Sequence, residues 1–244
     1  MKIIQINIWY GKLMWPLVDF IREEKPDIVC MQEVISSGVD TYSLLFTLEE
    51  IKKLTGLKNS FMSPTLDYRF MHGKLSFGNA IITNLPISKT HEVFTNGAYV
   101  SDANDKTDDL LEPRVLQHAV LESKEGKTNI LNTHGLYVEG TKNGNNKTLL
   151  QNQLIASYFK KLSGPTVLCA DFNLKPTSPS MREFDFLRNL STEGKLNCTY
   201  QPSLSNQTDV CDYIFVNSLV DASSFKMDDR VVSDHKALIL EFDI

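Results

Sequence analysis

Short apolar runs rich in β-branched residues recur along the whole chain, and a polar residue closes or adjoins almost every one. KIIQINI (2–8), DIVCMQEV (27–34), FGNAIIT (77–83), RVLQHAVLE (114–122), TNILNT (128–133), TVLCA (166–170), YIFVN (213–217) and KALILEF (236–242) all read as β-strands. Helical spacing fits 15–24, with Pro16 in the first turn and Lys25-Pro26-Asp27 as the break. It also fits 42–55, closed by Gly56, and the stretches 148–162 and 180–190. Strands outnumber helices and only some alternate with them, so a mixed, two-sheet α/β architecture is expected. The 244 residues are read as a single domain, 1–244.

The polar residues beside these runs are Asn7, Glu33, His134, Asp171, Asn173, Asp212, Asp234 and His235. In a layered α/β protein, strand ends from distant segments meet at one rim, where sites are built. A carboxylate-rich rim with two histidines suits a hard divalent cation and phosphate chemistry. A metal-dependent phosphoesterase is therefore the leading reading.

Composition narrows the alternatives. A formal charge of −5 and a pI near 5.6 disfavour a protein that grips long nucleic acid by bulk electrostatics. Cys30, Cys169, Cys198 and Cys211 form no C-x-x-C pair, which disfavours zinc and thioredoxin chemistry and fits reduced thiols. The N-terminal residues lack a continuous apolar core for a signal peptide, and no run has transmembrane length. A cytoplasmic location is the default expectation. Among five histidines there is no H-E-x-x-H, and no P-loop pattern occurs.

Two segments are sharp. In TVLCADFNLKP, Asp171 and Asn173 are two apart, so on an extended chain they point the same way with Phe172 opposed. An acceptor and an amide side by side can hold a water in line with phosphorus. In VVSDHKALILEF, Asp234 and His235 precede the last strand; a histidine can stabilise phosphoryl oxygens while the carboxylate beside it binds metal. Ser233 is a poor nucleophile candidate, with no G-x-S-x-G turn around it. Asp212 can orient an imidazole, and His134 is a second candidate acid. On the first strand Ile4, Ile6 and Ile8 can face the core with Asn7 facing away. Tyr10-Gly11-Lys12 and Tyr68-Arg69-Phe70 can stack bases or simply pack. The polar loops 95–113 and 138–147 are candidates to set substrate choice.

Together QINIWYG, CMQEV, GNAIIT, NTHG, ADFNLKP, CDYIFV and SDHKAL resemble, in order and spacing, the endonuclease/exonuclease/phosphatase superfamily. Ala170 stands where that family's G-D-x-N motif has its first glycine, a small-for-small change. The resemblance implies a four-layer α/β/β/α sandwich with two facing mixed sheets, and Mg²⁺ or Mn²⁺ as cofactor. It implies Glu33 as the main metal ligand, with Asn7 and Asp234 on the metal side. It implies Asp171 as water-activating base aligned by Asn173, and His235 on the scissile phosphate oriented by Asp212. His134 would stabilise or protonate near the leaving group. Asn79 and Arg114 are candidate substrate contacts, a structural salt bridge being an equal reading for Arg114. The expected substrate is nucleic acid or a small phosphate ester, with no obligate protein partner. VCDYIFV differs from the P-x-W-C-D-R of inositol 5-phosphatases, which lowers that reading. An inactive binding module would lack a site residue, and none is missing.

Overall fold

The computed structural model of the chain describes residues 1–37, 47–70, 73–103 and 112–244. Residues 42–46 of the expected second helix and 104–111 of the expected loop lie outside them.

The strands are β1 (Lys2–Asn7), β2 (Ile28–Ser37), β3 (Asn59–Phe70), β4 (Gly73–Thr83), β5 (Ile87–Asn96), β6 (Arg114–Glu122), β7 (Lys127–His134), β8 (Thr166–Asp171), β9 (Arg188–Asn189), β10 (Asp212–Val216), β11 (Asp221–Asp228) and β12 (Ala237–Asp243). The helices are α1 (Met14–Glu24), α2 (Leu48–Thr55), α3 (Asn146–Phe159) and the short α4 (Leu190–Glu193). One six-stranded sheet has the order β11-β12-β1-β2-β4-β3, the other β5-β6-β7-β8-β10-β9. Each has one parallel pair at its centre, β1/β2 and β7/β8, among antiparallel neighbours. A parallel pair needs a crossover, which α1 supplies in the first sheet and α3 in the second.

Three apolar layers stack on these sheets. Ile4, Ile6 and Ile8 meet Leu17, Val18 and Ile21 of α1 and Ile51 of α2 on one outer face. Ile3, Ile28, Cys30 and Ile81 meet Ala119, Ile130, Val167 and Cys169 between the sheets. Leu116, Leu131 and Leu168 meet Ile155, Ala156 and Phe159 of α3 on the other outer face. Each fully buried Val, Leu or Ile among them contributes roughly 1.5–3 kcal/mol from area alone. The result is the expected α/β/β/α sandwich. The face of β1 opposite Ile4 and Ile6 is buried too, because it looks onto the second sheet.

Toward one end of the interface, hydrocarbon gives way to amides. Gln5 and Gln32 exchange bonds of 2.9 and 2.8 Å. Gln32 donates to Asn132 across the sheets at 2.6 Å, and Asn132 donates to Gln117 at 2.8 Å. All four side chains are fully buried, and they satisfy one another as buried polar groups must. No helix among the described residues is long and apolar enough to cross a membrane.

Helix ends follow local chemistry. Thr47 and Glu50 form a capping box on α2, and Gly56 ends it at φ 77°. The helix expected over 180–190 is corrected. Pro179–Phe184 is a 3₁₀ turn that buries Met181 and Phe184, and β9 and α4 follow. All four cysteines are free thiols.

Candidate active site

β1 alternates Ile3, Gln5 and Asn7 toward the second sheet, so Asn7 rises from the amide layer at the rim, buried. Glu33 does not end its strand as expected, since β2 runs on to Ser37. It lies in a β-bulge: Met31 pairs with Ala80 and Val34 with Gly78, so Gln32 and Glu33 together oppose Asn79. Glu33 takes φ 54°, a left-handed value that costs a non-glycine residue about 1 kcal/mol or more. The bulge re-aims its carboxylate into the rim.

The second sheet brings His134, Asp171 and Asp212 side by side, since Asp171 pairs with His134 on β7 and Asp212 on β10. Gly135 permits the close approach; a Cβ there would stand 2.2 Å from the Phe172 carbonyl oxygen. Asn173 meets Asp171 by a route the alternation did not foresee. The chain turns at once, Asn173 sits at φ 56°, and its backbone N–H donates to Asp171 Oδ1 at 2.9 Å. Phe172 is opposed as expected, packed on Phe184 and Tyr213.

Distances define the cluster. Asn7 Nδ2 donates to Glu33 Oε1 and to Asp171 Oδ2, each at 3.1 Å. Asp171 Oδ2 also lies 3.6 Å from His134 Nε2 and 3.8 Å from His235 Nε2. His235 Nδ1 is 2.8 Å from Asp212 Oδ2, and its ring packs on Tyr200 with centroids 4.4 Å apart. Asp234 is half-buried, and Ser233 donates to it at 3.1 Å, a supporting bond with no nucleophile geometry. One ligand atom from each of Asp171, Asp212 and His235 falls within 4.8 Å of the others, so this group can hold a metal ion.

The two histidines are driven apart. Burial opposes the charged form of His235, yet Asp212 and Asp171 override it and hold the imidazolium up to about 10. Burial, reinforced by Arg114, pushes His134 down to about 3, so near neutral pH it is an uncharged ring. Burial raises Glu33; Asn7 partly offsets this, and Asp171 and Asp234 add to it.

These groups open onto a cavity of about 370 Å³. One wall is aromatic: Tyr10 and Tyr68 both meet Phe77 edge-on, at 5.7 and 5.3 Å. Pro113, Arg114 and Tyr137 also line it. Asn79 lines it too while donating to the Val115 carbonyl at 3.1 Å. Arg114 donates from Nε to the Gly135 carbonyl at 3.0 Å and lies 3.8 Å from Glu112. Arg69 turns outward to Asp102, and Lys12 sits over the Trp9 ring. Two residues escaped the sequence reading, Lys142 and Tyr200. Lys142 Nζ donates to Asn173 Oδ1 and Tyr200 Oη, both at 3.0 Å. Its only sequence signal is its place in the polar loop 138–147.

A four-layer sandwich with acids, amides and histidines converging at one rim defines a phosphoesterase-type hydrolase fold. The chain belongs to the Endonuclease/Exonuclease/phosphatase family, whose sequence profile matches residues 4–235. Similar solved structures include an endonuclease/exonuclease/phosphatase from Beutenbergia cavernae, with TM-score 0.74 and 17% identity over 100% of this chain and 71% of that one. A mannosyl-6-phosphatase from Bacteroides thetaiotaomicron gives TM-score 0.73 and 17% identity over 100% of both chains. The human nocturnin catalytic domain gives 0.68 and 19%, over 100% of this chain and 94% of that one. No curated protein sequence matches the chain.

Proposed function

We propose that this protein is a Mg²⁺- or Mn²⁺-dependent phosphodiesterase that cleaves short or single-stranded nucleic acid by attack of water on phosphorus. The observation that carries the reading is the junction at Asn7, whose amide joins Glu33 to Asp171 beside the His235–Asp212 pair.

The residues fit a hard divalent cation. Glu33 is aimed by a strained bulge into the rim, where burial raises its pKa and Asp171 and Asp234 add to the rise, and a cation there would stabilise the carboxylate. Glu33 would hold the ion with Asn7 and Asp234, an all-oxygen set. The alternative trio of Asp171, Asp212 and His235 is less suited, because His235 carries a proton that its two carboxylates retain. The bound ion would supply Lewis-acid stabilisation of charge on phosphoryl oxygen.

The chain's own groups do the rest. Asp171 accepts the proton of the attacking water, and Asn173, locked to it by the turn, aligns that water. The His235 imidazolium donates from Nε2 to a phosphoryl oxygen, while Asp212 on Nδ1 fixes the ring and its charge. His134, uncharged near neutral pH, acts by hydrogen bonding and not as a proton donor. Tyr10, Tyr68 and Phe77 offer a stacking wall for one base.

A second reading, a phosphatase or phosphodiesterase on a small molecule, is favoured by the size of the cavity and the net charge of −5. Hydrolysis of a panel separates the two: single- and double-stranded DNA, RNA, nucleotides, sugar and inositol phosphates, and bis-p-nitrophenyl phosphate. Each is run with Mg²⁺, Mn²⁺ or EDTA, beside His235→Ala. Metal-dependent cleavage of single strands, lost in the variant, supports the first reading. Turnover confined to small monoesters overturns it in favour of the second.

A further inference from the structure

Lys142 is the one lysine or arginine in the buried class among the described residues. A buried ammonium normally has a carboxylate partner. Among the described residues, none lies within ion-pair distance of Lys142. Its Nζ instead meets two neutral oxygens, Asn173 Oδ1 and Tyr200 Oη, both at 3.0 Å, with the Tyr137 ring centroid 4.9 Å away.

The chemistry of an ammonium then fixes a chain of assignments. Lysine only donates, so the arm of the Asn173 amide that faces it must be the oxygen. The other arm, Nδ2, must therefore point at His134 Nε2, 3.0 Å away. An amide nitrogen donates, so that ring nitrogen must accept. A proton on Nε2 would set two donors face to face, which excludes both the imidazolium and the Nε2–H tautomer.

We propose that Lys142 is a positioning residue: it sets the rotation of the Asn173 amide and thereby holds His134 as the neutral tautomer protonated on Nδ1. The same ammonium steadies Tyr200, whose ring packs against His235. One loop residue thus stands behind both histidines without lining the cavity. Its removal frees the Asn173 amide to rotate by a half-turn. Oδ1 then faces His134 Nε2 and draws the proton to that nitrogen.

The test uses full-length protein with ¹⁵N-labelled histidine, free of metal, near neutral pH. Long-range ¹H–¹⁵N spectra report the tautomer of each ring, and a His134→Asn variant assigns the His134 signals. The expected result is Nδ1–H for His134 in the native chain, a shift toward Nε2–H in Lys142→Met, and retention of Nδ1–H in Lys142→Arg, which also only donates. An Nε2–H or imidazolium signal assigned to His134 in the native chain overturns the proposal, whether or not a Lys142 variant folds. An unchanged His134 spectrum in folded Lys142→Met overturns the role of Lys142. The kinetic arm rests on the phosphodiesterase reading. On bis-p-nitrophenyl phosphate, Lys142→Met is expected to lower kcat by about tenfold or more at nearly constant KM, as for a misaligned catalytic group. Because the spectra require no turnover, failure of the phosphodiesterase reading leaves the tautomer result standing.

Discussion

Nδ1 of His235 lies 2.8 Å from Oδ2 of Asp212, and both side chains are buried. The carboxylate does two things there: it selects which ring nitrogen faces the cavity, and it keeps the ring charged. Burial works against that charge, and Asp212 with Asp171 raises His235 from 6.5 to about 10 regardless. The charged form is the one stabilised by folding. Its contribution is complete below about 6.5 and fades as pH rises through about 10. Activity should accordingly show an alkaline limb near 10. In Asp212→Asn that limb should move toward neutrality and kcat should fall by about 10²–10⁴-fold. A pH–rate profile with an unmoved alkaline limb in the variant would dismiss the pairing as the source of the charge.

Glu33→Gln should separate function from stability. Burial raises the pKa of this carboxylate and Asp171 and Asp234 add to the rise, so an amide removes a poorly solvated charge from the metal-free protein. The metal-free melting temperature should hold or rise. The upward shift of Tm that Mn²⁺ or Mg²⁺ gives the native chain should vanish, along with turnover. A variant whose Tm still responds to metal like the native chain would move the metal away from Glu33.

Replacing Gln32 by Leu should be costly even though it adds hydrocarbon to an interior. The change leaves the Gln5 and Asn132 oxygens, now paired at 2.8 and 2.6 Å, without donors. Each orphaned group costs roughly 1–3 kcal/mol. Urea denaturation reads this directly, and a loss below about 0.5 kcal/mol would mean the layer relaxes around the gap.

Tyr10 is 41% exposed, and it is held at φ 55° against the Phe77 edge. Tyr10→Ala should leave the fold intact and raise KM for short single strands by about tenfold or more, the loss of one stacked base. Small phosphate esters without a ring should be unaffected. Equal KM values for native and variant protein on single strands would remove the aromatic wall from the substrate's path.

The sequence was legible where burial enforces a pattern. The eight strands read from apolar runs are the eight interior strands of the two sheets. The four it missed, β3, β5, β9 and β11, are the four edges. Edges expose a side and carry polar residues, such as Ser88 to Glu92 in β5, or proline, such as Pro64 at an irregular register in β3. Asn7, Asp171, Asp212 and His235 were legible because they border interior strands. The bulge at Glu33 was not, because an inserted residue looks like any other until its partner strand is known. Lys142 was invisible for a related reason. Nothing local distinguishes a lysine in a polar loop from one that folds back onto Asn173.

The amides between the sheets have a mechanical consequence. Glu33 and Asn7 ride on one sheet, Asp171 and Asp212 on the other, and no strand is shared between them. Hydrocarbon faces tolerate small sliding, since dispersion has no preferred direction. The cross-sheet bonds from Gln32 to Asn132 at 2.6 Å and from Gln5 to Asp212 at 3.2 Å do not. They act as dowels between two plates, seated directly beneath the rim. Loosening them would let the two halves of the candidate site drift out of alignment while every strand kept its shape.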